Sequence, residues 1–258
     1  MSVNKQSLEA RVNYEREVFD KEAAEYGDDY TIHFNYDDAL RLVNIRADDL
    51  KGMRVLDCGA GFGELAVWLG LRGARVTAID VSPKCLEVIS RRAAHHGVSQ
   101  NVTSRLLPME QIDYEDASFD MITGIFILHH VMLDKSMPRI HRVLRPGGTA
   151  VFLETSATSK LLMFFRSHVV GRFGIAKYQD EIEYPLTERD IEYIRGVFDG
   201  RCKVHYVPFT FLRMIDSHVF RHKIRFVSWL LSTCDRLIYR YLPFMRKYTY
   251  FKTIELRR

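Results

Sequence analysis

The chain of 258 residues predicts an α/β fold in which a mostly parallel sheet carries helices on both faces. Three observations predict it. Between Arg54 and Glu154, short apolar runs alternate with amphipathic stretches, the pattern of strands joined by crossover helices. At Val55–Leu69 an apolar strand opens directly into a glycine-rich turn and then a helix. An acidic residue, Asp80, closes the next strand, 21 residues after Gly59.

Taken in order, residues 5–26 read as a polar helix that Ser7 can cap, with Glu9 and Glu15 near its start. Arg54–Cys58, Arg75–Asp80, Val102–Leu106, Phe119–Ile125 and Thr149–Glu154 are strand-like; Glu64–Leu71, Pro83–His96 and Met137–Val143 between them read as helices. Residues 156–186 break the rhythm as an insertion containing the apolar-basic run KLLMFFRSHVVGRF. Thr187–Phe198 reads as a helix opened by Thr187 and Asp190, although Glu or Gln suits a capping box better than Asp. Val204–Pro208 and Tyr250–Leu256 read as the closing strands. The expected organisation is an N-terminal helical cap at 1–50, a core at 51–208 carrying the insertion, and a basic, aromatic, amphipathic segment with the last strand at 209–258.

Composition narrows the function classes. Apolar residues at 47% and charged residues at 27% describe a folded domain and exclude a disordered one. Cys58, Cys85, Cys202 and Cys234 show no paired spacing, which argues against a disulfide framework or a zinc site and for a reducing cytoplasm. The first residues are too charged for a signal peptide, and no apolar run is long enough to span a bilayer. The net charge of +4 is unevenly spread: residues 209–258 hold eleven Lys or Arg against three Asp or Glu, so 1–208 is net acidic.

The glycine-rich turn carries the chemistry. Gly59, Gly61 and Gly63 remove Cβ atoms where the backbone turns sharply and where a ligand must approach closely. A carboxylate at Asp80 can accept both ribose hydroxyls of an adenosine moiety. Three details speak against a nicotinamide dinucleotide. The spacing is G-x-G-x-G, not the G-x-G-x-x-G that seats a pyrophosphate. Asp57, just before the first glycine, repels phosphate but suits an ammonium group. Finally, RVLRPGG at Arg142–Gly148 turns the chain at once into the fifth strand.

The segments VLDCGAGFG, VTAIDVS, ASFDMITGIFILHHV and RVLRPGGTAVFLE occur in that order. They resemble the successive motifs of class I S-adenosylmethionine-dependent methyltransferases, and most of all the subgroup of ubiquinone-pathway, menaquinone-pathway and small-molecule enzymes. The resemblance covers roughly residues 15–155. It implies a Rossmann-like, seven-stranded sheet with one antiparallel strand, S-adenosylmethionine as cofactor and S-adenosylhomocysteine as product. It also implies that Gly59 and Gly61 line the methionine part, with Asp57 reaching its ammonium. Asp80 is implied for the ribose and Val81 for the adenine, with Gly124 and Ile125 near the sulfonium. Tyr26, in an N-terminal helix that closes over the cofactor, is implied to reach the methionine carboxylate. One departure stands out. Relatives often place an Asp for the adenine amino group where this chain has Pro108; Met109 can still pack on the adenine, and Glu110 is the substitute carboxylate nearby.

Methyl transfer needs alignment and exclusion of water, and a general base only when the acceptor must lose a proton. His129 and His130, after the fourth strand, are the candidate bases, set against a packing role that histidines in this motif also serve. His33, His168, His205, His218 and His222 have no partner spacing that suggests chemistry, and no metal site is expected.

The segment 209–249 is basic and aromatic, with Val227, Leu230, Leu231, Cys234, Leu237, Ile238 and Tyr241 at helical spacing and Arg225, Asp235, Arg236 and Arg240 mostly off that stripe. It reads either as a lid or homodimer contact, or as an interfacial helix on an anionic membrane with Phe226 and Trp229 at headgroup level. Nucleic-acid binding is disfavoured, because 1–208 is acidic and contains no recognisable RNA-binding module. The expected activity is methyl transfer to an O, N or C nucleophile of a hydrophobic or lipid-linked small molecule, in the cytoplasm or peripherally on the inner face of a membrane. The alternatives are a soluble polar metabolite or sugar as acceptor, or a non-catalytic cofactor-binding partner at a membrane. Replacing Asp80 by Ala is expected to weaken binding of S-adenosylhomocysteine severely, and near-normal affinity in calorimetry would remove the ribose assignment.

Overall fold

The computed structural model describes residues 7–27, 29–33, 36–155, 185–206, 212, 224–249 and 251–258. The run at 161–165, His168, His218 and His222 lie outside the described residues, as does the insertion apart from Pro185 and Leu186.

Strands β1 (Arg54–Cys58), β2 (Arg75–Asp80), β3 (Val102–Leu106) and β4 (Phe119–Ile125) coincide with the apolar runs that predict them. They join β5 (Leu144–Thr155), β6 (Cys202–Tyr206) and β7 (Phe251–Arg257) in one seven-stranded sheet of order β3-β2-β1-β4-β5-β7-β6. The first five strands run parallel, and β7 is antiparallel to both β5 and β6. The expected single antiparallel strand is therefore β7, inserted between β5 and β6.

Buried strands read as continuous apolar runs because both faces are covered. On one face Val55, Val76, Met121 and Val151 pack with Val67, Trp68 and Leu69 of α3 (Glu64–Leu71) and with Ile89 and Ala93 of α4 (Pro83–His95). On the other, Leu56, Ile122, Phe152 and Ile254 pack with Met137, Ile140 and Val143 of α5 (Leu133–Val143) and with Ile191 and Ile194 of α6 (Glu188–Val197). The result is a three-layer α/β/α sandwich.

Three boundaries differ from the sequence reading. Helix α5 begins a turn before the expected Met137, because it runs through Pro138 instead of starting near it. Proline costs the helix a hydrogen bond there, and the burial of Met137, Ile140 and Val143 offsets that cost. Strand β5 begins at Leu144, not Thr149, since a register shift opposite Phe119 and Met121 absorbs the Pro-Gly-Gly turn within the strand. Strand β6 begins at Cys202, and the expected residues 207 and 208 lie outside the described chain. The Thr187–Asp190 capping box forms with both reciprocal bonds despite its short acid.

The N-terminal helix α1 (Leu8–Glu25) is capped by Ser7, and a short α2 (Tyr36–Leu42) follows it. Near the other end, α7 (Arg225–Tyr241) precedes β7. Its packing departs from the expected stripe. Asp235 faces inward, buried, with Oδ1 accepting from Leu212 N at 3.0 Å, while Leu230, Leu237 and Tyr241 are exposed. No described helix is long and apolar enough to cross a membrane. Leu56 lies at the middle of the sheet with no exposure, so Leu56→Ala is expected to lower unfolding free energy by about 3 kcal/mol in denaturant titration.

Candidate functional site

Parallel strands deliver their C-terminal residues to one edge of the sheet, and that edge carries the site. Asp57 in β1, Asp80 at the end of β2, Leu107 after β3 and Ile125 at the end of β4 all face a cavity of about 730 Å³. Helix α1 closes it from above. Arg11 donates to His129 O at 3.0 Å, Arg16 donates to Val81 O at 3.1 Å, and Ser82 Oγ donates to Asp20 at 2.5 Å.

The glycine turn takes its shape from backbone that ordinary residues avoid. Gly59 and Gly61 have φ of 60° and 51°. A Cβ on Gly59 would come within 2.3 Å of Ile127, whereas the space beside Gly61 is open. The loop is pinned to Asp80, whose Oδ2 accepts from Gly61 N at 2.8 Å and Oδ1 from Ser82 N at 2.9 Å. Burial pushes the Asp80 carboxyl up to about 6, against those two bonds, which pull it down.

Asp57 is more deeply placed. Its Oδ1 accepts from Thr123 Oγ1 at 2.9 Å, while Oδ2 is buried with no hydrogen-bond partner among the described residues. Burial, with Asp80 adding repulsion, raises this carboxyl to about 7. A buried carboxylate oxygen without a donor, beside an open glycine, fits a ligand that brings its own ammonium.

Of the residues implied for the cofactor, Tyr26, Asp57, Gly59, Gly61, Asp80, Val81, Met109 and Ile125 line the cavity together. Gly124 does not. The missing side chain there makes room for Ile127 and Phe152, which a Cβ would meet at 2.6 and 2.9 Å. The Tyr26 hydroxyl donates to Asp29 O at 2.8 Å and accepts from the buried Arg92 guanidinium. Arg92 also donates to Tyr30 O and Thr31 O at 3.3 and 3.1 Å, and it faces the cavity. Sequence reasoning passed over Arg92 because it looks like any polar position of an amphipathic helix. Glu110, the substitute carboxylate, lines the cavity but already accepts from Met132 N at 2.8 Å.

His129 and His130 both reach the cavity wall. His130 Nδ1 lies 3.0 Å from Glu15 of α1. His129 Nδ1 lies 2.8 Å from Glu154 Oε2, and both side chains are buried. A carboxylate only accepts, so Nδ1 donates to Glu154, and in the neutral imidazole the lone pair is then on Nε2; Nε2 has no partner among the described residues. The other oxygen of Glu154 accepts from Ile127 N and Leu128 N at 2.9 and 2.7 Å. One carboxylate therefore holds both the loop after β4 and the histidine on it. Beside them Phe126 lines the cavity in the left-handed region at φ 54°, with its N–H on Leu153 O at 2.8 Å and its ring 5.5 Å from Phe251. A bulky residue rarely adopts that conformation. Nothing in the local sequence signals it. Among the described residues no group of three or more His, Cys, Asp or Glu is placed to hold a metal ion.

This sheet order, with a glycine turn after β1 and an acid ending β2, defines a Rossmann-like nucleotide-cofactor domain. Comparison with known proteins carries it further. Residues 56–152 match the family described as a methyltransferase domain. The chain is 31% identical to the ubiquinone/menaquinone biosynthesis C-methyltransferase UbiE of Hydrogenovibrio crunogenus, over 71% of this chain and 77% of that one. It is 31% identical to the UbiE of Zymomonas mobilis, where the match covers 60% of this chain and 65% of the relative, slightly under two thirds. Geranyl diphosphate C-methyltransferase from Streptomyces coelicolor shares the fold, with a TM-score of 0.56 at 14% identity, covering 97% of this chain and 98% of that one. The chain belongs to the class I S-adenosylmethionine-dependent methyltransferases.

The raised Asp57 carboxyl makes cofactor binding depend on pH. Its value rises on folding from 3.8 to about 7, so its contribution to stability is full below the unfolded value and is lost as pH climbs through 7. An ammonium ligand needs the ionised form. Affinity for S-adenosylhomocysteine is therefore expected to rise by up to about tenfold per pH unit towards 7 and then level off. Calorimetry across that range should show the rise, and Asp57→Asn should abolish the step near 7.

Proposed function

We propose that this chain transfers a methyl group from S-adenosylmethionine to a nucleophile of a lipophilic small molecule, with His129 as the general base. The observation that carries the reading is that two residues lining one cavity, Asp57 and His129, each keep a buried side-chain atom, Oδ2 and Nε2, with no hydrogen-bond partner among the described residues. The first fits the ammonium of the donor, and the second fits an acceptor proton.

The donor, when bound, supplies an electrophilic methyl group on a sulfonium. The chain's residues do the rest. Asp57 and Arg92 are suited to opposite ends of an amino acid, the ammonium and the carboxylate, with the Tyr26 hydroxyl beside Arg92. Asp80 is suited to the ribose, Val81 and Met109 to the adenine. Helix α1 keeps water out, which leaves alignment of the two reactants as the main source of acceleration. Glu154 fixes the tautomer of His129, so that Nε2 is ready to take a proton as the acceptor attacks.

Support for a lipophilic acceptor comes from the apolar wall nearest His129. Phe19, Phe126, Ile127 and Val131 line the cavity there. The two UbiE relatives are named as C-methyltransferases of ubiquinone/menaquinone biosynthesis, and a polar metabolite or sugar is the second class of acceptor.

The test is transfer of labelled methyl from S-adenosylmethionine into host extract, partitioned between organic and aqueous phases. Label in the organic phase is the expected result; label confined to the aqueous phase would replace the lipophilic acceptor by a polar one. With an acceptor in hand, His129→Ala should lower kcat by about a hundredfold or more and leave donor affinity unchanged. Glu154→Gln presents an amide N–H to Nδ1 and so inverts the tautomer; it should lower kcat comparably. Normal kcat in both variants would return His129 to a packing role.

A further inference from the structure

The outward face of α7 is apolar, the reverse of what a surface helix ordinarily shows. Phe226, Trp229, Leu230, Leu237 and Tyr241 lie at positions i, i+3, i+4, i+11 and i+15, one face of a helix, and all five are exposed, Phe226 by 68% and Trp229 by 58%. Phe244, in the turn after the helix, is 64% exposed. The inward face holds the buried Asp235. Arg225, Arg236 and Arg240 are exposed along one flank of the apolar stripe, and Lys247 is exposed just beyond the helix. Within 224–249 the acidic residue is Asp235, buried and bonded to Leu212 N, so no surface carboxylate of this described segment offsets those charges.

We propose that this face of α7 docks the protein on an anionic lipid bilayer. Charge selects that occupant over a second copy of the chain. Two such stripes packed together would bring guanidinium rims into one interface to which the described segment 224–249 adds no surface carboxylate, and like charges there oppose association. An anionic bilayer answers both features at once: hydrocarbon takes Phe226, Leu230 and Leu237, headgroup phosphates take the arginines, and Trp229 and Tyr241 suit the boundary between them. The helix lies along that boundary and does not cross it. Its position fits such a role. Tyr239 donates to the carbonyl of Tyr206 at 3.1 Å, at the C-terminal end of β6. The parallel strands open the cavity at that same edge of the sheet, so docking would turn the cavity's edge towards the lipid. This surface lies outside the residues that line the cavity, so lipid docking does not depend on methyl transfer.

Two tryptophans make the test direct. Trp68 is 4% exposed in the core, so a change in emission on docking reports Trp229. The full chain is mixed with vesicles of phosphatidylcholine alone, or of phosphatidylcholine with phosphatidylglycerol, at low and high salt. The expected result is flotation with the anionic vesicles, weakened by salt, with a blue shift of Trp229 emission that Trp229→Phe removes. Arg236→Glu with Arg240→Glu should reduce binding to anionic vesicles by about tenfold or more. Leu230→Ser with Leu237→Ser should remove the blue shift. Unchanged affinity for S-adenosylhomocysteine would show that these exposed variants remain folded. No flotation at low salt would overturn the proposal, as would flotation indifferent to the arginine reversals. So would a concentration-dependent dimer in sedimentation that shifts Trp229 emission without vesicles, or retention on RNA without retention on vesicles.

Discussion

The site depends on one buried carboxylate. Glu154 sits in β5 with no exposure and spends one oxygen on two consecutive backbone N–H groups of the loop after β4, the other on His129. Those amides would otherwise be unpaired at the end of a parallel strand, where the chain leaves the ladder. Binding them fixes the loop that carries Ile127 against Gly59 and presents His129 to the cavity. Without that anchor, the glycine turn and the histidine would lose their common reference. The carboxylate in turn has a buried cation near it: Lys252 lies directly opposite in β7, its ammonium held down by burial and raised by surrounding acids that include Glu154.

The cavity also concentrates cost. Asp57 and Asp80 lie on neighbouring strands, both buried, and both are pushed towards the neutral form. Neither packing nor helix propensity explains two acids at the ends of adjacent core strands. A domain built only for stability would place apolar residues there. Two buried acids at these positions are the mark of a ligand that pays the desolvation back.

Much of this was legible in the chain itself, because the relevant signals are local. Four strands coincide to the residue with their apolar runs, and the glycine turn with its two acids announces both the edge of the sheet and the kind of ligand. What was not legible depends on contacts across the fold. Glu154 reads as the last residue of an apolar strand; its partners lie 25 to 27 residues away in the sequence. Arg92 reads as solvent-facing until the segment around Tyr30 wraps over it. The orientation of α7 was not legible for a related reason: its sequence carries two apolar faces, and the one turned inward holds Asp235 on the backbone N–H of Leu212, a contact 23 residues away in the chain. Pro138 hid the start of α5 because a rule about isolated helices yields to packing.

Helix α1 is a hatch rather than a wall. Its buried residue is Ala23, which with the half-buried Phe19 packs on Cys85 and Val88 of α4, a small apolar contact. Its fastenings are mostly polar: Arg11 and Glu15 reach His129 and His130 of the loop after β4, and Arg16 and Asp20 reach Val81 and Ser82 in the turn after β2. A segment held in that way tends to open as a unit, and at less expense than the layers beneath it. Traffic into and out of the cavity on that side then passes a latch of four side chains, and the pace of a full cycle can be set there, by unfastening, while the chemistry below it waits.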